Sequence, residues 1–354
     1  MSNCAVPEAL SAVLALLQVD AVRHYGNKAA RLVPVEYQDR QFSHVLRVAV
    51  HDDGASEPFS HLFVKLTKPK TPGGGGTRLR DRVIRDFDTT TRVHSFMAAY
   101  HDLGVVPPVA CYPEHLAIVT EQVSGPTLQA YLRRHAAWFP SAETLSASTS
   151  LLETAGRWIR TFQASMSVGG AVRLDEVREY VDYRLKKLVA AYSGNFTEGQ
   201  RQGVLKHVDT LSNAVSGAEL NEVAVHSDLA LGNILVDGRR IVVLDFGMTK
   251  TGCRLTDVTR LYVQIELLAL KPHIRRGVIR HLLSSLLKGF APDLRPEDPL
   301  FRLFVLRHRI NHLLTLLEDG STGVSGAYSR YVCRSHYDWL HRELAAAALA
   351  TEPV

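Results

Sequence analysis

The run His226-Ser227-Asp228-Leu229-Ala230-Leu231-Gly232-Asn233 leads into Ile234-Leu235-Val236, then Asp237-Gly238-Arg239-Arg240, then Ile241-Val242-Val243-Leu244, and ends on Asp245-Phe246-Gly247. Two short apolar runs around an Asp-Gly turn read as a β-hairpin, with Asn233 opposite Leu244. That register brings Asn233 and Asp245 together at the open end. An amide and a carboxylate are a sufficient protein contribution for a hard cation such as Mg²⁺, which takes its remaining oxygens from water and phosphate.

The order H-x-D-x-x-x-x-N followed by D-F-G matches the spacing of the kinase catalytic loop and its metal-binding element. Phosphoryl transfer asks for metal ions on the phosphates, a basic side chain, and a carboxylate beside the attacking hydroxyl. Asp228 is the candidate catalytic base, and Asn233 and Asp245 are the candidate Mg²⁺ ligands. Either element alone is a weak signal. Their joint occurrence around a predicted hairpin is a strong one.

Outward from this segment the chain divides by pattern. His44–Val50 and His61–Leu66 read as an antiparallel strand pair around Asp52-Asp53-Gly54, 116–119 reads as a strand, and Arg80–Tyr100 has helical apolar spacing. Helical patterns dominate from Leu128 onward, including Leu151–Ala164, Val177–Ala191 and Asp257–Leu270. One β island interrupts them, from Val223 to Leu244. The shift falls at Ser124-Gly125-Pro126, a plausible hinge. The expected fold is α+β and bilobal, with a small antiparallel-sheet N-lobe over 1–123 and a larger helical C-lobe over 124–354.

The stretch from Val225-His226-Ser227-Asp228-Leu229 to Asp245-Phe246-Gly247 resembles the aminoglycoside phosphotransferase and choline kinase group of small-molecule kinases. The resemblance implies a protein-kinase-like fold that binds ATP. It also implies that Lys65, ending an apolar strand, faces the nucleotide phosphates, and that Asp86 is its acidic partner on the next helix, where the group usually has glutamate. In Ile118-Val119-Thr120-Glu121-Gln122-Val123-Ser124 it implies that backbone groups around Glu121 and Val123 receive the adenine. The phosphate-covering loop should lie near Gln38–His44, with Ser43 a candidate to cap phosphate oxygens, although no G-x-G-x-x-G is present. Gly73–Gly76 follows Lys65 and reads as a flexible linker. Asp257 matches a helix-start aspartate that braces the catalytic loop, and His226 reads as a structural histidine near Asp245.

Bulk properties fit this reading. With 354 residues, more than one hydrophobic core is expected. A hydrophobic fraction of 46% and a charged fraction of 22% are those of a globular protein. Cys4, Cys111, Cys253 and Cys333 form no C-x-x-C pair, which points to a reducing cytoplasm. No window reaches the roughly 18 apolar residues of a membrane span. The net charge of +5 comes without a Lys/Arg block, so no nucleic-acid partner is expected, and ATP suffices as the anionic ligand.

Only Met248–Thr256 separates Asp245-Phe246-Gly247 from Asp257, with no Ala-Pro-Glu, so the acceptor is expected to be a small molecule or glycan and not a protein. Between Lys271 and His312 basic residues outnumber acidic ones, which favours a neutral or anionic acceptor over an aminoglycoside. A nucleotide-binding pseudokinase and an aminoglycoside phosphotransferase are the alternatives. Retention of Lys65, Asp228, Asn233 and Asp245 together argues against the pseudokinase.

Overall fold

Alternating apolar side chains in the first third and 3.6-residue periodicity beyond it set the two halves of the architecture. The computed structural model describes residues 8–26, 31–69, 76–137, 139–166, 168–191, 196–217, 220–318 and 323–351. The expected linker residues 73–75 lie outside them. The chain forms two compact units: residues 1–131, 226–228 and 232–249 in the first, and 132–225, 229–231 and 250–354 in the second.

In the first unit, β1 (Arg31–Asp39), β2 (Ser43–His51), β3 (Ser60–Thr67), β5 (Pro108–Tyr112) and β6 (Ala117–Glu121) build an antiparallel sheet in the order β1-β2-β3-β6-β5. Side chains alternate across a strand, so its two faces serve different ends. One face carries Leu46, Val48, Val50, Leu62, Val64 and Val119, which cluster with Leu10, Val13, Leu17 and Ala21 of α1 (Glu8–Tyr25). The spacing of those four is a helical stripe. Each large one buried stabilises the unit by about 1.5–3 kcal/mol. The opposite face carries Val45, Lys65 and Ile118 in one cross-strand row.

The expected hairpin forms as β8 (Ile234–Asp237) and β9 (Arg240–Val243). Asp237 pairs with Arg240, so only Gly238 and Arg239 form the loop, and Gly238 takes φ +61° at its first position. The register is kept: Leu244 N–H donates to Asn233 O at 3.0 Å. β9 also pairs in parallel with β4 (Leu103–Val105), a contact the sequence pattern did not disclose. The helix α2 (Gly76–Met97) buries Val83, Asp86, Thr90, Val93 and Met97, one stripe at spacings of three and four that includes two polar residues.

The short α3 (Leu128–His135) carries the chain into the second unit. There α4 (Ala142–Ala164), α5 (Leu174–Ala191), α6 (Glu198–Asn213), α7 (Thr256–Leu268), α8 (Arg276–Phe290), α9 (Pro299–Glu318) and α10 (Gly323–Thr351) accompany one strand pair, β7 (Glu222–Val225) with β10 (Lys250–Cys253). Thr197 and Gln200 form a reciprocal capping box that starts α6. Leu185, Leu188, Val204, Val208, Leu306 and Leu313 join a core of α5, α6 and α9.

Candidate active site

A pocket of about 500 Å³ lies within the first unit, on the sheet face opposite α1. Val45, Phe63, Ile118 and Leu235 give it apolar walls, while Ser43, Lys65, Asp86, Glu121, Val123, Asn233 and Asp245 also line it. The structure therefore brings seven of the residues singled out from the sequence to one cavity. Its size is that of a small-ligand site.

Lys65 Nζ pairs with Asp245 Oδ2 at 2.9 Å. Asp86 is 9% exposed on α2 and is not the direct partner of Lys65 among the described residues. It acts on the pair through space and accepts a hydrogen bond from the Phe246 backbone. Burial pushes its pKa up to about 6; Lys65 opposes the rise and Asp245 adds to it. Burial also pushes Asp245 up, but Lys65, His226 and Arg82 outweigh it, and the net shift is downward. Asp245 is thus held as a carboxylate.

At the open end of the hairpin, Asn233 Nδ2 donates to Asp228 O at 3.0 Å. That bond fixes the amide and leaves its Oδ1 as an acceptor. The fully buried His226 bonds Leu244 O through Nε2 at 3.0 Å, and its ring lies 4.8 Å from that of Phe246. Through this imidazole the start of the loop is tied to the end of β9. Ser227 and Asp245 adopt φ +64° and +68°, a left-handed conformation that costs a non-glycine residue energy and turns each side chain sharply out of the local run.

The Glu121–Val123 edge has its own logic. Gln122 N–H donates to His61 O, so Glu121 and Val123 turn their backbone groups the other way. Glu121 N–H meets Pro107 O at 2.9 Å, but Pro107 and Pro108 have no N–H to return to its carbonyl. Val123 N–H has no hydrogen-bond partner among the described residues. The Glu121 carboxylate is engaged elsewhere, with His24 at 2.9 Å. Just beyond, Gly125 has φ +110°, and a Cβ there would collide with Val236 O. Glycine is required for Val236 N–H to reach Pro126 O at 2.9 Å.

Sequence reasoning missed several lining residues. Arg40, in the turn before Ser43, brings a cation to the rim, and Thr90 donates to Asp86 O at 2.7 Å. A lone arginine in the loop before β2 was the available signal for the first. Asp257 is wholly buried in the first turn of α7, in the second unit. There the loop residue Leu231 donates its N–H to Gln264 Oε1 on α7 at 2.9 Å, a support without a motif to announce it.

Among the described residues no cluster of three or more His, Cys, Asp or Glu side chains forms a metal cage. The donor set that is present, one held carboxylate and one held amide oxygen, fits a hard cation that keeps water and phosphate ligands.

Residues 70–292, well over half of the chain, match the phosphotransferase enzyme family. Among solved structures, a choline/ethanolamine kinase family protein from Mesorhizobium loti has a TM-score of 0.56 at 15% identity, covering 95% of this chain and 98% of that one. Choline kinase from Cryptosporidium parvum gives 0.55 at 12% identity over 96% and 97%. A thermostable mutant of aminoglycoside phosphotransferase APH(4)-Ia, in ternary complex with ADP and hygromycin B, gives 0.55 at 16% identity over 91% and 98%. These likenesses show the kinase-like fold. No curated protein matches the chain.

Proposed function

The chain belongs to the phosphotransferase enzyme family, and we propose that it uses ATP with Mg²⁺ to phosphorylate a hydroxyl of a small molecule or glycan. The observation that carries this reading is the Lys65–Asp245 ion pair at 2.9 Å, on the wall of a pocket that also holds Asn233 and the Glu121–Val123 edge. The carbonyl of Glu121, which faces prolines, and the N–H of Val123, without a partner among the described residues, suit the adenine edge, with Val45, Ile118 and Leu235 on its faces. Lys65 serves the phosphates, Ser43 and Arg40 the turn that covers them, and Asp86 tunes the charge of the Lys65–Asp245 pair. Asn233 and Asp245 would hold Mg²⁺, which when bound neutralises charge on the transferred phosphate. Asp228 accepts the proton of the attacking hydroxyl, and His226 and Asp257 act as supports. In this reading 1–123 serves the nucleotide, and 124–354 supplies the loop and the acceptor site.

For the acceptor we favour a neutral or anionic compound over a polyamine. Glu266, an acid that could have served an amine, is bound to Arg309 at 2.7 Å, and Glu343 is bound to Arg302 at 2.5 Å. The same pairing neutralises part of the basic run, so the preference rests on the remaining cations. Unbridged Cys111, Cys253 and Cys333 suit a cytoplasmic setting, and among the described residues no helix is long and apolar enough to cross a membrane.

The test is a phosphate-transfer screen against sugars, glycan precursors, amino alcohols and aminoglycosides, repeated with Asp228→Asn. Loss of turnover by about 10²–10⁴ with ATP affinity unchanged is expected. Undiminished turnover in the variant would overturn the role of Asp228.

A further inference from the structure

β7 and β10 pair from Val225↔Lys250 to Glu222↔Cys253. The chain that departs at Val225 for His226 and Asp228 therefore returns at Lys250. Beside this strand pair the second unit has a pocket of about 240 Å³ whose walls include Tyr180, Lys250, Phe304 and Arg307. The Arg307 guanidinium lies 4.8 Å from the Tyr180 ring centre and 5.6 Å from that of Phe304. No carboxylate pairs with it among the described residues. Burial pushes its pKa down, as it does that of Lys250, which Arg307 lowers further by repulsion. The two cations are close enough to feel each other, and the acids on the same pocket lining are Glu176 and Glu222.

The acids nearby are otherwise disposed. Glu176 pairs with Arg173 at 3.5 Å, and the Glu222 carboxylate lies against Gly170. Asp257 favours the charged Arg307 through space, and Arg260 opposes it. A partly desolvated guanidinium without a carboxylate is a costly arrangement, and an anion arriving from solution removes that cost. With its face against the aromatic rings, its edge is left to offer parallel N–H donors, the geometry that carboxylate and phosphate accept.

We propose that Lys250 and Arg307 hold the carboxylate or phosphate group of a small molecule in this pocket. The volume suits a head group, not a nucleotide. Val225, on the pocket wall, is three residues before Asp228 in the chain, so the anion is either part of the acceptor or a separate small anion that regulates turnover. Only the choice between these sources rests on the phosphotransfer reading; the binding itself does not.

The experiment is calorimetric titration of the full chain with inorganic phosphate, with and without Mg²⁺ and a non-hydrolysable ATP analogue to occupy the other pocket. The parent should bind phosphate in both conditions, and Arg307→Met and Lys250→Met should each weaken it about tenfold or more, the loss of one charge-assisted contact. Lys250, at the start of β10, is only partly covered and still reaches solvent, so its variant keeps the test valid if Arg307→Met unfolds. Displacement of phosphate by an anionic acceptor assigns the group to the acceptor; a change in turnover without competition assigns it to a separate anion. Phosphate binding that persists in a chain without transferase activity would sustain this inference and remove the reading above. Equal affinity in parent and variants, or no binding of phosphate or acetate by the parent at tens of millimolar, overturns it.

Discussion

Asp86 shows how one buried side chain sets a pH dependence. Its pKa is pushed up to about 6, chiefly by burial, from the ordinary carboxylate value of 3.8. Between those values the folded state binds more protons than the unfolded state, so stability falls as pH rises through the window and stays lower above it. Holding this carboxylate charged in its buried place costs on the order of 3 kcal/mol. Asp86→Asn in the nucleotide-free protein should therefore raise thermal stability at pH 7, with an advantage that shrinks toward pH 4. A variant advantage independent of pH would refute this account. Asp245→Ala removes the one charged candidate ligand, and the stabilisation that Mg²⁺ and ATP confer should disappear; at a ligand concentration of about 100 Kd that is roughly 2.7 kcal/mol. An equal shift in melting temperature for parent and variant would count against the ligand assignment. That Asn233 and Asp245 lie at one end of the hairpin was legible from its register, and Lys65 was singled out through the family resemblance; all three line one pocket. The Glu121 carbonyl and Val123 amide belong to the backbone, which any side chain could supply, so only strand alternation and the prolines opposite explain their freedom.

At the scale of elements, α4 and α8 pack closely through two glycines. A Cβ on Gly156 would run into Leu286 O and Phe290 N, and one on Gly289 into Glu153 O. Both glycines lie inside helices, where replacement by alanine normally stabilises by about 1 kcal/mol. Here the sign should reverse. Backbone cannot rotate aside as a side chain can, so the helices must separate, at a cost of about 1–3 kcal/mol or more. Urea denaturation of Gly156→Ala and Gly289→Ala would show lower midpoints, whereas a midpoint at or above the parent's would mean that the crossing adapts. Helical periodicity announced both elements, but periodicity does not say which glycine meets which carbonyl. The same limit applied to the strands. Apolar runs disclosed the β8–β9 hairpin and its register, whereas the pairing of β4 with β9 and of β7 with β10 depends on segments more than 20 residues apart and leaves no local pattern.

For the whole molecule, the composition shift at Ser124-Gly125-Pro126 marks where helices begin to dominate, but composition carries no information about which later segment returns to pair. Residues 232–249 belong to the first compact unit together with 1–131. Their return satisfies specific groups: Ile241 N–H donates to Asp102 O at 3.1 Å, Val106 N–H to Val243 O at 3.1 Å, and Val236 N–H to Pro126 O at 2.9 Å. Leu103 and Val105, 2% and 1% exposed, lie on the strand that β9 covers. A fragment ending at Tyr131 would lose those partners, expose the β4 edge and lack Asn233 and Asp245. Each buried backbone group left unpaired costs about 1–3 kcal/mol, a large share of the stability of a small domain. Such a fragment should therefore show no cooperative thermal transition by circular dichroism and no saturable binding of a fluorescent ATP analogue, while the full chain shows both. A cooperative melt with analogue affinity close to that of the full chain would mean that residues 1–131 are self-sufficient and that the returning hairpin is dispensable for the nucleotide site.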